Sequence, residues 1–206
     1  MTVTAQAFKE RIKLKLFIFD MGGVVVRNCN VVPHIAQVYG TTEEELRNSE
    51  FMSMTDRLMS GEITETEFWS WFNNKKTTSF KGLLWGETFS PSIITQTVEI
   101  INRLKKKYRV VCGTNTMQPH YDLHMKNNDY GCFDKVYASH LMHAIKPDRD
   151  FYTHILSHEG VSPSDTVFID DMFVNVLGAR TIGVHGILFQ TPQKLETDIT
   201  TLIGSF

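Results

Sequence analysis

Residues 17–26 read FIFDMGGVVV. In this stretch a short apolar run ends at a single carboxylate, Asp20, and a pair of glycines follows. Apolar runs of four to eight residues are typical of strands that are buried on both faces of a sheet. Because ligands of open parallel sheets bind beyond the carboxyl ends of the strands, Asp20 stands where a ligand is expected.

Working outward, further apolar runs predict strands of the same kind. With residues 14–19 (LKLFIF), they are 109–112 (RVVC), 135–138 (KVYA), 166–169 (TVFI) and 184–189 (VHGILF). Helical patterns at 93–107, 148–159 and 174–181 alternate with these strands. The alternation predicts an α/β fold, with a Rossmann-like parallel sheet as its core.

One long stretch, from about residue 32 to residue 90, interrupts the alternation and shows helix signals instead. A capped helix start is predicted at TTEEE (41–45), and a capping box is predicted at Thr64 with Glu67. We therefore predict a helical cap domain over 31–90, inserted into a core formed by 1–30 and 91–206. The cap is rich in aromatic residues, which we expect to form its own core, the alternative being that one of them lines a substrate pocket. They are Phe68, Trp69, Trp71, Phe72 and Trp85.

Composition excludes several classes of partner. The net charge is −2 with no long run of one sign, and the basic residues at 103–109 are expected to be the solvated end of a helix, so no nucleic-acid partner is expected. No run of 18 apolar residues exists, and the polar N-terminal leader, 1–15, lacks a signal core, so no membrane partner is expected. Three cysteines without a CxxC pair favour a cytoplasmic location. The chain is expected to be a monomer or a homodimer.

Two pairs of histidines have the i,i+4 spacing that can bind zinc: His120 with His124, and His154 with His158. No third ligand accompanies either pair. We therefore expect both pairs to lie on solvated helix faces, with a substrate contact by His120 as the alternative.

Polar residues that follow the predicted strands should converge at one edge of the sheet. They are Asp20, Thr114, Asn115, Lys146, Asp170 and Asp171. Three clustered carboxylates repel one another unless a cation relieves the repulsion, and oxygen ligands favour Mg²⁺. A phosphate group would complete such a site, because Lys146 and the metal neutralise its oxygens while Asp20 attacks phosphorus to form an aspartyl-phosphate.

Four segments of the chain resemble, in order, the four motifs of the haloacid dehalogenase superfamily. They are FIFDMGGVVV (17–26), VVCGTNT (110–116), IKPD (145–148) and VFIDDMFVN (167–175). Residues 159–189 are especially similar to the bacterial branch that includes α-glucose-1-phosphate phosphatase. The resemblance implies an inserted helical cap and a Mg²⁺-dependent phosphatase of a small phosphorylated metabolite, with a sugar phosphate as one candidate.

The same resemblance implies roles for individual residues. The implied catalytic residues are the nucleophile Asp20, with Lys146 and Thr114. The implied metal ligands are Asp20, the carbonyl of Gly22, Asp171, and Asp170 directly or through water. The implied substrate-binding residues are Thr114, Asn115, Lys146, Gly22 and Gly23, while Asn175 orients the Asp170–Asp171 pair.

One position departs from the family pattern. Most phosphatases of the superfamily place a second aspartate two residues after the nucleophile, and this chain has Gly22 there. A general acid or base contributes about 10²–10⁴ in rate, so its loss favours substrates with a good leaving group. A catalytically silent binding or regulatory protein therefore stays an alternative. A 2-haloacid dehalogenase is a further one, although it would have no use for the metal-binding pair Asp170–Asp171.

Overall fold

The computed structural model describes residues 14–75 and 82–206. A five-stranded sheet forms its centre, in the order β5-β4-β1-β6-β7, with every neighbouring pair parallel. The strands are β1 (Leu16–Phe19), β4 (Arg109–Thr114), β5 (Lys135–Ala138), β6 (Thr166–Asp170) and β7 (His185–Leu188). A separate antiparallel pair consists of β2 (Val26–Arg27) and β3 (Ser92–Ile93).

The central strand β1 shows why the sheet is buried on both faces. Leu16 and Ile18 pack into the hydrophobic core on one face, and Phe17 and Phe19 pack into the core on the other. All four side chains are at most 1% exposed. Successive side chains of a strand point to opposite faces, so a continuous apolar run fills both cores at once. The predicted α/β fold with a parallel sheet is thus confirmed.

Helices cover both faces of the sheet. They are α6 (Thr95–Leu104), α7 (Gln118–Asn127), α8 (Ser139–Met142), α9 (Arg149–Glu159), α10 (Phe173–Thr181) and α11 (Pro192–Ile203), with a short 3₁₀ helix at Pro163–Asp165. Helices α6 and α11 bury apolar residues in the Phe17 and Phe19 core, whereas α9 and α10 bury theirs in the Leu16 and Ile18 core. The three predicted core helices are confirmed, although α6 ends at Leu104 and is shorter than predicted.

Between β2 and β3 the described residues (32–75 and 82–87) form five helices, which we call the helical segment. They are α1 (Val32–Tyr39), α2 (Glu43–Leu46), α3 (Ser49–Met59), α4 (Glu65–Asn73) and α5 (Leu84–Glu87). The helix start predicted within 41–45 is present, with a capping box of Thr42 and Glu45, and so is the predicted capping box of Thr64 and Glu67.

The aromatic residues of the helical segment pack against one another, as predicted. Phe51, Phe68, Phe72 and Trp85 are each at most 3% exposed, and the ring centroids of Phe68 and Trp85 lie 5.5 Å apart. Their burial gives the segment a hydrophobic cluster of its own. The division of the chain into a core and a cap domain stays a prediction.

The expectation for the first histidine pair was wrong. His120 is 9% exposed and His124 is 3% exposed, because α5 and Phe89 cover this face of α7. The Nε2 atom of His120 hydrogen-bonds the carbonyl oxygen of Trp85 at 2.8 Å. In the second pair, His158 is exposed and His154 is partly buried.

The remaining expectations concern the N-terminus and the membrane. The polar leader predicted for residues 1–15 falls largely outside the described residues. Among the helices of residues 14–75 and 82–206, none combines the length and apolar character needed to span a bilayer.

Candidate functional site

Three carboxylates meet at the carboxyl edge of the sheet. Asp20 follows β1, Asp170 is the last residue of β6, and Asp171 comes next. One oxygen from each carboxylate lies within 4.8 Å of the others. Since β1 and β6 are parallel neighbours in register, with Phe19 opposite Ile169, the residues that follow them are brought side by side.

Lys146 supplies the positive charge of this cluster. Its Nζ atom lies 2.7 Å from Oδ1 of Asp20 and 2.8 Å from Oδ2 of Asp170, and it donates to the carbonyl oxygen of Gly113 at 3.2 Å. Burial of the side chain opposes its charge, but the carboxylates of Asp20 and Asp170 outweigh this effect and raise the pKa of Lys146 above its ordinary value. The lysine is therefore charged and held in place.

Asp20, which follows β1, is buried, and one of its two carboxylate oxygens makes the contacts that hold it in place. Its Oδ1 atom accepts the backbone N–H of Met21 at 2.7 Å as well as the ammonium group of Lys146. Burial raises the pKa of Asp20 to about 7, with Lys146 acting to lower it and Asp170 to raise it. A further cation beside the carboxylate would favour its charged form.

The two adjacent aspartates, Asp170 and Asp171, differ in their burial and in the hydrogen bonds that their carboxylates accept. Asp170 is fully buried, and its carboxylate accepts the backbone N–H of Met172 at 2.8 Å and the side-chain amide of Asn175 at 3.0 Å. Asp171 is exposed, and burial of part of its side chain together with the charge of Asp170 raises its pKa. The hydrogen bond from Asn175 to Asp170 is the kind of contact through which Asn175 was predicted to orient the pair.

Gly23 packs directly against Asp171. A Cβ atom at Gly23 would lie 2.1 Å from Oδ2 of Asp171, and the φ angle of the glycine is +73°. A side chain here would collide with the carboxylate and would also be strained, so only glycine lets the loop and the aspartate approach this closely. At Gly22 the nearest atoms to such a Cβ, Cβ and Sγ of Cys29, lie 3.8 Å away.

Thr114 is the last residue of β4, and Asn115 follows it at the same edge of the sheet as the carboxylates. Thr114 is 3% exposed. The side chain of Asn115 pairs with the backbone of Lys146: its Oδ1 accepts the N–H at 2.8 Å and its Nδ2 donates to the carbonyl oxygen at 3.0 Å. The contact that the structure shows for this side chain therefore positions Lys146, and the predicted phosphate contact of Asn115 stays a prediction.

Ser139 was not singled out from the sequence, yet it joins the helical segment to the site. Its buried Oγ atom donates to the carbonyl oxygen of Met59 at 2.6 Å and accepts the backbone N–H of Thr116 at 2.9 Å. Thr116 lies two residues beyond Thr114, so the hydroxyl links α3 to the loop that follows β4. A single serine at the start of a short helix gives no sequence signal for such a contact.

The donor set fits a divalent cation bound through oxygen. Three carboxylates face one ammonium group, which leaves an excess of negative charge when the acids are ionised. All three candidate ligands are oxygens, as Mg²⁺ prefers. Within residues 14–75 and 82–206 this is the single group of three or more potential metal-ligating side chains that approach one another closely.

Comparison with known proteins agrees with this geometry. The family model of the haloacid dehalogenase-like hydrolases matches residues 14–183, which include every residue of the candidate site. The chain belongs to this family. The narrower resemblance to the glucose-1-phosphate phosphatase branch stays a prediction.

Two curated proteins illustrate how this haloacid dehalogenase-like chain relates to known members. It is 24% identical over 212 residues to D-ribitol-5-phosphate phosphatase of Bacteroides thetaiotaomicron, covering 93% of this chain and 100% of that protein. It is 35% identical over 92 residues to the sesquiterpene phosphatase astK of Aspergillus oryzae, covering 44% of this chain and 47% of that protein. The matched regions span only 19% to 47% of the full length of four curated relatives.

Solved structures support the haloacid dehalogenase-like fold. A hydrolase of this family from Porphyromonas gingivalis superposes with a TM-score of 0.79 at 24% identity, covering 94% of this chain and 100% of that one. A family member from Bacteroides thetaiotaomicron, solved in complex with magnesium and inorganic phosphate, gives a TM-score of 0.69 at 22% identity, covering 86% and 94%. At these identities the likeness concerns the fold.

Proposed function

We propose that this haloacid dehalogenase-like chain is a Mg²⁺-dependent phosphatase of small phosphorylated metabolites, with Asp20 as its nucleophile. The observation that carries the proposal is the meeting of Asp20, Asp170 and Asp171 within 4.8 Å, with Lys146 bridging two of them. Membership of a hydrolase family supports it, and so do two relatives named as phosphatases.

The ligands proposed for Mg²⁺ are Asp20, Asp171, the carbonyl oxygen of Gly22 and, directly or through water, Asp170. The differing exposure of the pair supports this division, because Asp171 is exposed while the oxygens of Asp170 already accept several hydrogen bonds. When bound, Mg²⁺ supplies positive charge that neutralises the phosphate oxygens and the carboxylates. The solved relative with magnesium and phosphate supports this choice of metal.

The chain's own residues account for two displacements at phosphorus. In the first, an oxygen of Asp20 forms a bond to phosphorus while the ester bond breaks, and the leaving alkoxide takes a proton from solvent, since Gly22 supplies no acid. In the second, water attacks the aspartyl-phosphate and gives up a proton to solvent, so that the carboxylate of Asp20 and inorganic phosphate are regenerated. Lys146, held by Asp20 and Asp170, stabilises the negative charge that is shared over the phosphate oxygens.

The position of the helical segment supports a role in excluding water from the site. We propose that residues 31–90 act as a cap over the carboxyl edge of the core. Hydrogen bonds from Ser139 to Met59 and from His120 to Trp85 hold the segment against α8 and α7, the helices that follow β5 and β4. A covered site strengthens electrostatic interactions between phosphate and its ligands.

A second candidate function, a catalytically silent binding protein, is favoured by one observation. Gly22 supplies no carboxylate at the position where most phosphatases of the family carry their acid and base. All other implied site residues are present, so binding of phosphate and metal would persist in such a protein. A dehalogenase is disfavoured, because its chemistry makes no use of the Asp170–Asp171 pair.

The test is hydrolysis of p-nitrophenyl phosphate with and without Mg²⁺, together with the variants Asp20→Asn and Asp150→Asn. Asp150 is an exposed carboxylate in the first turn of α9 and serves as the matched control. We expect turnover that requires metal, is lost in Asp20→Asn and is kept in Asp150→Asn. Sugar, polyol and prenyl phosphates extend the panel. Turnover that survives Asp20→Asn would refute the nucleophile, halide release without metal would indicate a dehalogenase, and absent turnover with metal bound would favour the silent protein.

A further inference from the structure

The helical segment is tied to one side of the core. Three hydrogen bonds join core histidine and serine side chains to backbone carbonyls of the segment: His120 to Trp85, Ser139 to Met59, and His143 to Ser60. The first core residue follows β4 and the other two follow β5. Both strands lie on the same side of β1 in the sheet order. The segment is therefore fastened over the β4 and β5 half of the carboxyl edge.

The residues that directly follow β6, on the other half of that edge, are exposed to solvent. Asp171 is exposed, and the three residues that follow it are large, apolar and exposed: Met172 by 55%, Phe173 by 58% and Val174 by 47%. Leu177, one helical turn further along α10, is 47% exposed. We call these four side chains the apolar rim. The rim thus begins at the residue next to a proposed metal ligand.

The folding of α10 does not explain the rim. The helix buries Val176 and Ala179 against the sheet, and Asn175 reaches Asp170 from the same helix. These contacts satisfy the inner face of α10, while the rim lies on its outer face. Exposed apolar side chains that occur singly are ordinary, but a contiguous group marks a surface that binds something apolar.

We propose that the apolar rim receives the apolar alcohol part of the substrate, so that the site hydrolyses alkyl or isoprenoid phosphate monoesters. The inference rests on the proposed function and narrows its substrate class. When the phosphate of such an ester contacts Asp20 and Lys146, its alcohol part extends out of the site on the side to which the helical segment is not attached. The rim lies on that side, at the N-terminal end of α10.

The size of the rim favours a substrate over a second copy of the chain. A stable protein interface buries about 800 Å² on each partner, spread over roughly 20–30 residues a side. The rim has four side chains, three of them on one helix. A hydrocarbon chain attached to phosphate matches both this small apolar strip and the charged cluster at its end.

The test is the dependence of kcat/KM on chain length for ethyl, hexyl and decyl phosphate, each below the concentration at which it aggregates. A methylene fully removed from water contributes about 0.8 kcal/mol, or roughly fourfold in affinity. Because the rim covers a chain from one side, we expect about twofold per methylene, or on the order of 200-fold from ethyl to decyl. Ribitol 5-phosphate serves as the polar comparison and should be a poorer substrate than decyl phosphate.

Variants separate the rim from other apolar surface. The double variant Phe173→Ser/Leu177→Ser should lower the decyl-to-ethyl ratio of kcat/KM at least tenfold. The matched control is Met125→Ser, a residue of α7 that is 53% exposed and stands near the opposite end of its helix from the carboxyl edge. The control should keep the wild-type ratio.

The outcomes separate this inference from the function on which it rests. A decyl-to-ethyl ratio near one, or a ratio that the double variant leaves unchanged, would overturn the inference while leaving a phosphatase. If no ester is hydrolysed, the proposed function fails. Calorimetry with Mg²⁺ then tests whether the rim binds an alkyl chain, by comparing the affinities of decyl and ethyl phosphonate. Equal affinities would overturn it. A dimer in sedimentation experiments that the double variant dissociates, with the ratio unchanged, would assign the rim to self-association instead.

Discussion

The substitution Gly22→Asp should increase phosphatase activity, because it places a carboxylate two residues after the proposed nucleophile. In phosphatases that resemble this chain, an aspartate at that position protonates the leaving group and then activates water. The backbone of Gly22 is compatible with a side chain, since its φ angle lies outside the left-handed region. A Cβ atom there would meet only Cys29, at an ordinary contact distance of 3.8 Å.

The size of the gain follows from what a general acid and base contributes. Native groups of this kind are worth about 10²–10⁴ in rate, and a carboxylate added without supporting contacts should recover the lower part of that range. We expect kcat to rise about 10–100-fold for an alkyl phosphate, which corresponds to about 1.4–2.7 kcal/mol of barrier. The rise should be small for p-nitrophenyl phosphate, whose leaving group departs without a proton.

The assay compares kcat for both esters in wild type, Gly22→Asp and Gly22→Asn, at saturating Mg²⁺. Asparagine has nearly the same size as aspartate but cannot transfer a proton, so it controls for occupancy of the space beside Cys29. Gly23→Asp is the steric contrast and should lose activity, because its Cβ would lie 2.1 Å from Asp171. An equal gain for both esters, or equal gains for the aspartate and asparagine variants, would refute the reasoning.

Three further predictions concern stability. Mg²⁺ at 100 times its Kd should raise the free energy of unfolding by about 2.7 kcal/mol, which is measured as a higher Tm. The variant Asp171→Asn should reduce this increase in Tm, and an undiminished increase would show that the ion binds elsewhere. Burial lowers the pKa of His120 to about 4, so an unfolded chain binds its proton first as pH falls below 6.5, and stability should decline by about 3 kcal/mol between pH 6.5 and 4. Urea titrations at several pH values should show a weaker decline in His120→Gln, and an identical decline would assign it to other groups. Ser139→Ala leaves the N–H of Thr116 and the carbonyl of Met59 without this partner and should cost about 1–3 kcal/mol in urea unfolding, while Ser157→Ala, on the exposed face of α9, should cost little.

Much of the fold and of the site could be read from the sequence. The strand β1 was predictable because its residues are apolar without alternation, a pattern that only a strand buried on both faces satisfies. The meeting of Asp20, Lys146 and Asp171 was predictable because parallel strands deliver their carboxyl ends to one edge. The helix starts at Thr42 and Thr64 were predictable because capping boxes depend on residues three positions apart.

Other features depended on contacts between distant parts of the chain. The sequence predicted that His120 and His124 lie on a solvated helix face, whereas α5 and Phe89 bury that face of α7. Asn115 was expected to hold phosphate, and the structure shows its side chain on the backbone of Lys146, 31 residues further on. Neither partner could be read from the local sequence.

The sequence by itself therefore determined the five strands of the parallel sheet, the three core helices α6, α9 and α10, and the edge at which charged groups gather. The tertiary structure decided which side of that edge the helical segment covers and which side leaves the apolar rim exposed. The physical reason is that propensity, periodicity and capping act within a few residues. Burial of a helix face, in contrast, depends on which distant surface packs against it.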